Sequence, residues 1–421
     1  MSDQPVSRDN SLSARRQVMN HRERVLTALQ HKEPDRVPID FGGTVDSSIV
    51  VPAYAQLREH LKLGTEGIRV PEVAVQVVLI SDEVRRAMGS DVWGIFYEPR
   101  SWRTDVLTYG YPIEVPASFQ PLVREDGSQV VLDPAGKVML RMPKGGYYFD
   151  LVVPPLADVT SVDDLDKHRG DIEAFDRPHY LDKSFEELAR QAKALRENTD
   201  YLLVGFFGGH ILQAGQLLRG FEGFLMDLVS NRKLAEALMD RVLETHMRRF
   251  ERFAETVGKY LDVIQVEDDL GMQDRTLISP ATYRQVVKPY HQRLYAYIKE
   301  ECAARLLLHS CGSVYPLIPD FIEMGVDALN PVQVSAKDMD TKELKREFGQ
   351  DICFWGGGCD TQRVLPYGTP QQVRDEVKRR IDDLAAGGGY VFTQVHNIQP
   401  NVPAKNVVAM FETAREYGVY K

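Results

Sequence analysis

The chain has 421 residues, of which 43% are hydrophobic, and it carries a formal net charge of −10 at neutral pH. This acidic balance argues against nucleic acid or an anionic membrane surface as the main partner. No apolar run approaches the roughly 20 residues of a membrane span, and four cysteines are too few for a disulfide framework. We therefore expect a soluble cytoplasmic protein with reduced thiols.

The first residues, 1–15, are polar and lack the apolar centre of a signal peptide, so they are predicted to be a disordered tail. Residues 16–421 are predicted to form one domain. Its first predicted elements are a helix at Arg24–Leu29, a strand at Arg36–Phe41, a helix at Val73–Met88 and a strand at Asp91–Phe96.

Residues from about 103 to 156 have a different pattern. Short runs of β-type residues alternate there with turn sequences such as Glu125-Asp126-Gly127, which is typical of hairpins. We interpret this stretch as a β insertion that decorates the main domain. Its Gly145–Tyr148 segment is expected to cover the functional site.

After Asp200 the pattern becomes regular, and apolar strand-like runs alternate with helical ones. The strands are predicted at Tyr201–Phe206, Asp262–Val266, Arg305–Leu308, Asp327–Asn330, Ile352–Trp355 and Tyr390–Val395. Before this point, the charged stretch Val162–Asn198 is predicted to be mostly helical. After it, helices are predicted at Phe224–Phe253, Pro280–Glu301, Val314–Met324, Thr341–Phe348, Pro370–Ala386 and Ala404–Tyr417. With the two early strands this gives eight βα units, which predicts a closed (β/α)8 TIM barrel. An open doubly wound sheet is the alternative, but no glycine-rich phosphate loop follows the first strand.

Catalytic side chains of such barrels stand at the carboxyl ends of the strands. The polar residues at these ends are His210, Glu267, Asp268, Asp269, His309, Cys311, Asn330, Gln333, Cys359 and His396.

His309 and Cys311 give the sharpest signal among them. Residues two apart on an extended segment point to the same side, and Zn²⁺ accepts both imidazole and thiolate. Cys359 is predicted to be the third metal ligand, and His396 is kept as an alternative or additional one. The competing interpretation is a hydrogen-bonded histidine beside a buried, apolar thiol.

Three carboxylates follow the fourth strand. Their mutual repulsion and partial burial would raise at least one pKa, so Glu267 and Asp268 are candidate acid–base groups, together with His210. A solvated loop that caps the next segment is the alternative for the carboxylates. Asn330, Gln333 and His396 are expected to contact a cofactor.

Four segments of the chain resemble the uroporphyrinogen decarboxylase superfamily. They are Arg22–Gly43 (RERVLTALQHKEPDRVPIDFGG), Gln265–Gly271 (QVEDDLG), Leu308–Gly312 (LHSCG) and His396–Met410 (HNIQPNVPAKNVVAM). The resemblance runs from about residue 20 to 417, interrupted by the β insertion, and it implies the same barrel.

The resemblance implies one of two chemistries. Decarboxylases of the superfamily carry an arginine-rich N-terminal segment that grips the substrate's carboxylates, and here no Arg follows Arg36 in that segment. The other branch contains zinc-dependent corrinoid methyltransferases, whose motif His-x-Cys matches His309 and Cys311. The third Cys of their coenzyme M enzymes falls where this chain has His396, whereas this chain offers Cys359 one strand earlier.

The sequence therefore predicts a zinc-dependent methyltransferase. The methyl group would move between a methoxy, methylthio or methylamino compound, or a thiol, and a corrinoid on a separate small protein docked over the barrel mouth. Two alternatives stay open: a metal-free decarboxylase of a smaller substrate that uses the carboxylates and His210, and a non-catalytic ligand-binding barrel.

Overall fold

The computed structural model describes residues 18–105, 110–132, 136–146, 148–175, 178 and 180–421, and the predicted tail 1–15 lies outside them. Seven parallel strands form one sheet in chain order. They are Val92–Ile95, Leu202–Gly208, Val263–Glu267, Arg305–His309, Ala328–Asn330, Cys353–Trp355 and Tyr390–Val391.

The predicted first strand closes this sheet into a barrel. Ile39 forms a parallel bridge with Phe392, next to the last strand. On its other side, the amide of Asp91 donates a hydrogen bond of 2.6 Å to the carbonyl of Ile39. Segment 36–41 therefore joins both edges of the sheet. The (β/α)8 prediction is confirmed, and the open sheet is wrong.

The N-terminal end of the barrel is plugged by the helix His21–Leu29, whose start is fixed by a capping box between Asn20 and Glu23. Val25 and Leu29 of this helix are buried against residues of the barrel strands. Those strand residues are Val92, Leu202, Val204, Val263, Leu307, Ala328, Cys353, Trp355 and Val391. Continuous apolar strands fit this arrangement, because parallel strands are covered on both faces.

A compensated charge cluster lies beside this plug. Fully buried Asp91 accepts hydrogen bonds from Arg24 (2.6 Å), Arg36 (2.8 Å) and His21 (2.7 Å). Burial alone would raise the pKa of Asp91, but the hydrogen bond from His21 and the two guanidinium charges lower it. Asp91 therefore holds the side chain of Arg36 at the end of the barrel opposite the carboxyl ends of the strands.

The helices that surround the barrel are Val51–His60, Asp82–Met88, Val162–Leu165, Arg169–Ala174, Phe185–Asn198, Leu212–Arg219, Phe221–Ser230, Arg232–Thr256, Pro280–Thr282, Lys288–Glu301, Ile318–Glu323, Thr341–Phe348, Val364–Tyr367, Pro370–Leu384 and Ala404–Tyr417. A π-helical turn, Tyr283–Val287, joins two of them. Short 3₁₀ turns lie at Asp166–His168, Gly258–Tyr260 and Tyr315–Leu317. No helix within the described ranges is long and apolar enough to cross a bilayer.

Three helix predictions differ from the structure, and one of them, Val162–Asn198, divides into the helices Val162–Leu165, Arg169–Ala174 and Phe185–Asn198. Val73–Met88 is helical only from Asp82, because its valine-rich first half forms β-bridges of Val77 with Val50 and with Glu72. The predicted helix Phe224–Phe253 is interrupted at Asn231, which leaves the helical region with φ −137°.

The β insertion contributes strands to two small sheets, one of which also contains an earlier strand. One contains Ile68–Arg69, Trp102–Asp105 and Ile113–Pro116, and the other contains Leu122–Val123, Gln129–Leu132, Val138–Met142 and Asp150–Leu151. Tyr148 reaches from the insertion to the loop after the last barrel strand, where its hydroxyl donates to Gln399. Tyr147 of the predicted covering segment lies outside the described residues.

Candidate active site

The carboxyl ends of the central strands lie side by side. Glu267 at the end of the fourth strand is in register with His309 of the fifth, and His309 with Asn330 of the sixth. Parallel pairing of this kind places the polar residues that follow each strand on one rim of the barrel.

Three of these residues form a compact group of metal-binding type. One donor atom each from His309, Cys311 and His396 lies within 4.8 Å of the others. The Cys311 Sγ is 3.5 Å from His309 Nε2. Tetrahedral zinc holds nitrogen and sulfur ligands roughly 3.3–3.8 Å apart, given bond lengths of about 2.0–2.3 Å. The donor set and this spacing therefore fit a zinc ion.

A hydrogen bond on the side of the ring away from Cys311 fixes the orientation of His309. Its Nδ1 donates to Asn330 Oδ1 at 2.6 Å, and the Asn330 amide nitrogen donates to the carbonyl of Trp355 at 2.8 Å. This leaves Nε2 facing Cys311, as a metal-binding histidine requires. The amide of Asn330 is buried and bonded at both ends, so contact of Asn330 with a cofactor stays a prediction, while its place behind His309 is what the structure shows.

The electrostatic surroundings favour a thiolate at Cys311. Burial would raise the pKa of this thiol, but the charge of His309 and hydrogen bonds with His309 and His396 lower it. The deprotonated form is the one that binds metals.

Cys359 lies elsewhere, which corrects the predicted ligand set. Its side chain is fully buried within the apolar core, and burial raises the pKa of its thiol far above the usual range. The nearby charges that act on it include Glu376 and Arg380 of the helix Pro370–Leu384. The thiol therefore faces the outer helix layer, and the place beside His309 and Cys311 belongs to His396.

Glu267 and His210 form a second pair at the rim. His210 Nε2 and Glu267 Oε1 are 2.7 Å apart, and both residues line the same cavity. Burial and the nearby charge of Asp46 raise the pKa of Glu267, although His210 acts in the opposite direction. A carboxyl with a raised pKa, paired with an imidazole, is suited to proton transfer.

Asp268 does not share this position, and its acid–base role stays a prediction to which the structure adds a different, structural role. Adjacent residues of a strand point to opposite sides, so Asp268 turns away from the cavity. Its fully buried carboxylate accepts hydrogen bonds from the amides of residues 211–213 at 2.6–2.9 Å and from His291 at 2.9 Å. Burial alone would raise the pKa of Asp268, but the hydrogen bond and charge of His291 lower it. Asp268 caps the helix Leu212–Arg219.

Gln333 supports the loop that carries Cys311. Its side-chain oxygen accepts a hydrogen bond of 2.8 Å from the amide of Gly312, and its nitrogen lies 3.3 Å from Gln273 on the exposed rim. Contact of Gln333 with a cofactor stays a prediction.

A cavity of about 550 Å³ opens between the barrel rim and the segments around residues 44–97 and 148–181. Its walls are mostly apolar, with valine, leucine and phenylalanine side chains. The ionisable groups that reach it are Asp46, Glu72, Tyr97, Tyr148, His210, Glu267 and His396. Among the described residues that line this cavity there is no lysine or arginine.

Sequence analysis missed Asp46 and Glu72. Asp46 follows the Gly42-Gly43 turn after the first strand; it accepts a hydrogen bond of 2.7 Å from Gln265 and lies 3.2 Å from His309 Nδ1. Its place after a barrel strand was a usable signal. No sequence signal indicated Glu72, because the residues that follow it were interpreted as the start of a helix.

Comparisons with known proteins agree with this architecture. A family model described as uroporphyrinogen decarboxylase (URO-D) matches residues 152–417. Among curated proteins, a uroporphyrinogen decarboxylase of Thermus thermophilus is 24% identical over 376 residues, which cover 86% of this chain and 89% of the relative.

Similarity to methyltransferases of Methanosarcina mazei appears in both the sequence and the structure comparison. A methylated-thiol–coenzyme M methyltransferase is 30% identical over 106 residues, which are 25% of this chain and 26% of that protein. A solved structure titled as a methyltransferase superposes with a TM-score of 0.54 at 18% identity, covering 95% of this chain and 99% of the other. This superposition shows a shared fold.

Proposed function

The chain belongs to the uroporphyrinogen decarboxylase family, and we propose that it is a zinc-dependent methyltransferase of that family. The methyl group would pass between a methoxy, methylthio or methylamino compound, or a thiol, and a corrinoid on a separate small protein. The observation that carries the proposal is the cluster of His309, Cys311 and His396, of which His396 lines a cavity that has no lysine or arginine among its described lining residues.

The cavity does not suit the polyanionic substrate of a uroporphyrinogen decarboxylase. Carboxylates of a ligand are bound by guanidinium or ammonium groups, and burying them without such partners is costly. Here three carboxyl groups, Asp46, Glu72 and Glu267, line the cavity, and Arg36 is bound to Asp91 at the other end of the barrel. These groups would repel a substrate rich in carboxylates.

His309, Cys311 and His396 would hold the zinc ion. When bound, zinc supplies Lewis acidity to the heteroatom that carries the methyl group and keeps a thiol deprotonated at neutral pH. The corrinoid, on its separate small protein, would be the methyl carrier.

The chain's own residues account for positioning and proton handling. Asn330 fixes the ring of His309, and the apolar walls of the cavity keep water away from the reacting groups. Glu267 Oε1, paired with His210 Nε2, would hold or release the proton of a thiol or of the demethylated product.

Zinc content and methyl transfer test the proposal together. Purified protein should contain about one zinc per chain, and His309→Ala, Cys311→Ala and His396→Ala should each lose most of it while remaining folded. When wild type is mixed with methylcobalamin and a thiol, the absorption of methyl-cobalt should decrease as the methyl group is transferred. The three variants should leave this absorption unchanged. Cys302→Ala is the matched control, because its thiol lies 3.6 Å from the carbonyl of Gly258, away from the cluster.

The decarboxylase alternative gives the opposite results. Zinc-free protein that is active, or formation of coproporphyrinogen from uroporphyrinogen, would contradict the proposal and favour that reaction.

A further inference from the structure

Glu72 is a cavity-lining carboxyl group that the proposed mechanism does not use. It lies in the irregular segment between the helix Val51–His60 and the helix Asp82–Met88, and its backbone bridges to Val77. Its carboxylate accepts hydrogen bonds from the amide of Ala74 and from the hydroxyl of Tyr180, both at 3.3 Å. Both distances are at the long end for hydrogen bonds to a carboxylate.

The other two carboxylates in this cavity are compensated differently. Glu267 is 2.7 Å from His210, and Asp46 is 3.2 Å from His309 and 2.7 Å from Gln265. Within the described part of the chain, Glu72 has no lysine, arginine or histidine at ion-pair distance. Glu72 therefore has capacity to accept a stronger hydrogen bond from a molecule in the cavity.

The surroundings of Glu72 are apolar. Val75, Val77 and Phe96 share the cavity wall with it. Burial, with a smaller contribution from the charge of Glu267, raises the pKa of Glu72 to about 7. Near neutral pH a partner that donates a hydrogen bond or carries a positive charge favours the ionised form of Glu72, and the ionised carboxylate repels an anion.

We propose that Glu72 determines substrate specificity by binding a hydrogen-bond donor, a hydroxyl or an ammonium group, on the part of the substrate away from the metal-binding cluster. The proposal rests on the proposed function, since it assumes that the methyl-bearing heteroatom lies at His309, Cys311 and His396. It also excludes substrates with a carboxylate at that position.

Direct binding measurements separate these ligand classes. Isothermal titration with zinc-loaded protein would use four one-ring probes: 4-methoxyphenol, 4-methoxybenzylamine, methoxybenzene and 4-methoxybenzoate. We expect the hydroxyl or the ammonium probe to bind at least about tenfold more tightly than methoxybenzene, because a hydrogen bond to a charged group contributes that much. The benzoate should bind most weakly of the four.

Two substitutions identify the group responsible. Glu72→Leu should remove the advantage of the donor-bearing probe while methoxybenzene binds as well as before. Glu72→Gln keeps an acceptor oxygen without the charge, so it should retain preference for a hydroxyl and lose preference for an ammonium group. Glu59→Gln, at an exposed position of the helix Val51–His60, is the matched control and should behave as wild type.

The proposal is overturned if Glu72→Leu keeps the wild-type order of affinities, if the benzoate binds as tightly as the phenol, or if none of the probes binds. Failure of the proposed function is distinguishable, because binding is measured without a corrinoid. A Glu72-dependent preference in a protein that never transfers a methyl group would sustain this inference and refute the reaction.

Discussion

The carboxyl groups buried at the plugged end of the barrel and those that line the cavity at its open end differ in the number of their partners and in the direction of their pKa shifts. At the plugged end, Asp91 is surrounded by Arg24, Arg36 and His21, and its pKa is lowered. At the open end, Glu72 and Glu267 line a mostly apolar cavity, and burial raises the pKa of each. The same kind of group is thus fully compensated at the plugged end and less so where it lines the cavity, whereas Asp268, which faces away from the cavity, is again fully compensated.

This difference separates stability from reactivity. A buried charge stabilises a fold only when partners replace its lost hydration, and removal of one partner is then strongly destabilising. A carboxyl group with few partners costs stability but can exchange a proton near neutral pH. Substitutions at the two ends should therefore have effects of different kinds.

The largest effect is expected for Glu267→Gln. Loss of an acid–base group should slow methyl transfer by roughly 10²- to 10⁴-fold, while zinc content and the free energy of unfolding change little. Stopped-flow spectroscopy of the methyl-cobalt absorption measures the rate, and elemental analysis measures the zinc. Zinc loss in this variant would instead identify Glu267 as a ligand.

Asp268→Asn is the matched control for Glu267, since it alters the adjacent carboxylate. It weakens the cap of the helix Leu212–Arg219 and should lower stability, without slowing transfer per folded molecule. A rate loss as large as that of Glu267→Gln would show that the two neighbours are not separated as the structure indicates.

Asp91→Ala should destabilise the protein by about 3–5 kcal/mol, because it leaves two guanidinium groups and His21 without their shared carboxylate. Urea denaturation measures this change. Protein that remains folded should bind zinc as wild type does. A much smaller loss of stability would contradict this contrast, because it would show that the ion pairs of Asp91 contribute little to the folded state.

Glu72→Gln should change the pH dependence of stability. The pKa of Glu72 is about 7 in the folded protein, above its ordinary value of 4.5, so the folded state holds this proton more tightly. Wild type therefore loses stability as pH rises from about 4.5 to 7, and the loss is complete above that range. Denaturation at pH 5 and pH 8 should show the variant gaining about 2 kcal/mol relative to wild type over this interval. If the difference in stability between wild type and Glu72→Gln did not change with pH, Glu72 would not be the group that titrates in this range.

The smallest effect is expected for Cys359→Ala. Removing a buried thiol from the core should lower the free energy of unfolding by about 1 kcal/mol, and zinc should stay bound because His396 completes the cluster. Loss of zinc in this variant would restore the ligand set predicted from sequence.

Sequence patterns were sufficient for the barrel and for two of the three residues of the metal-binding cluster. Eight apolar runs defined the strands, and His309 and Cys311 could be paired because residues two apart at a strand end share one side. The same alternation separates Glu267 from Asp268, so the opposite roles of these neighbours were within reach of the sequence.

The remaining site residues depend on long-range structure. Cys359 follows Gly356 and Gly357, whose positive φ angles of 126° and 74° turn the chain before the thiol enters the core. No sequence signal gives the direction of that turn. Glu72 enters the cavity only because the segment around it bridges Val50 and Val77 instead of forming a helix.

The family match begins at residue 152, yet more than half of the described cavity lining comes from earlier in the chain, mostly from residues 44–97. The metal-binding cluster, Glu267 and His210 all lie within the matched part. Asp46 reaches from the early segment to both histidines of the cluster, at 3.2 Å from His309 and 3.7 Å from His396. Relatives can therefore diverge in what they accept by exchanging residues 44–97 while inheriting the reaction centre unchanged, provided that the contact of Asp46 is preserved.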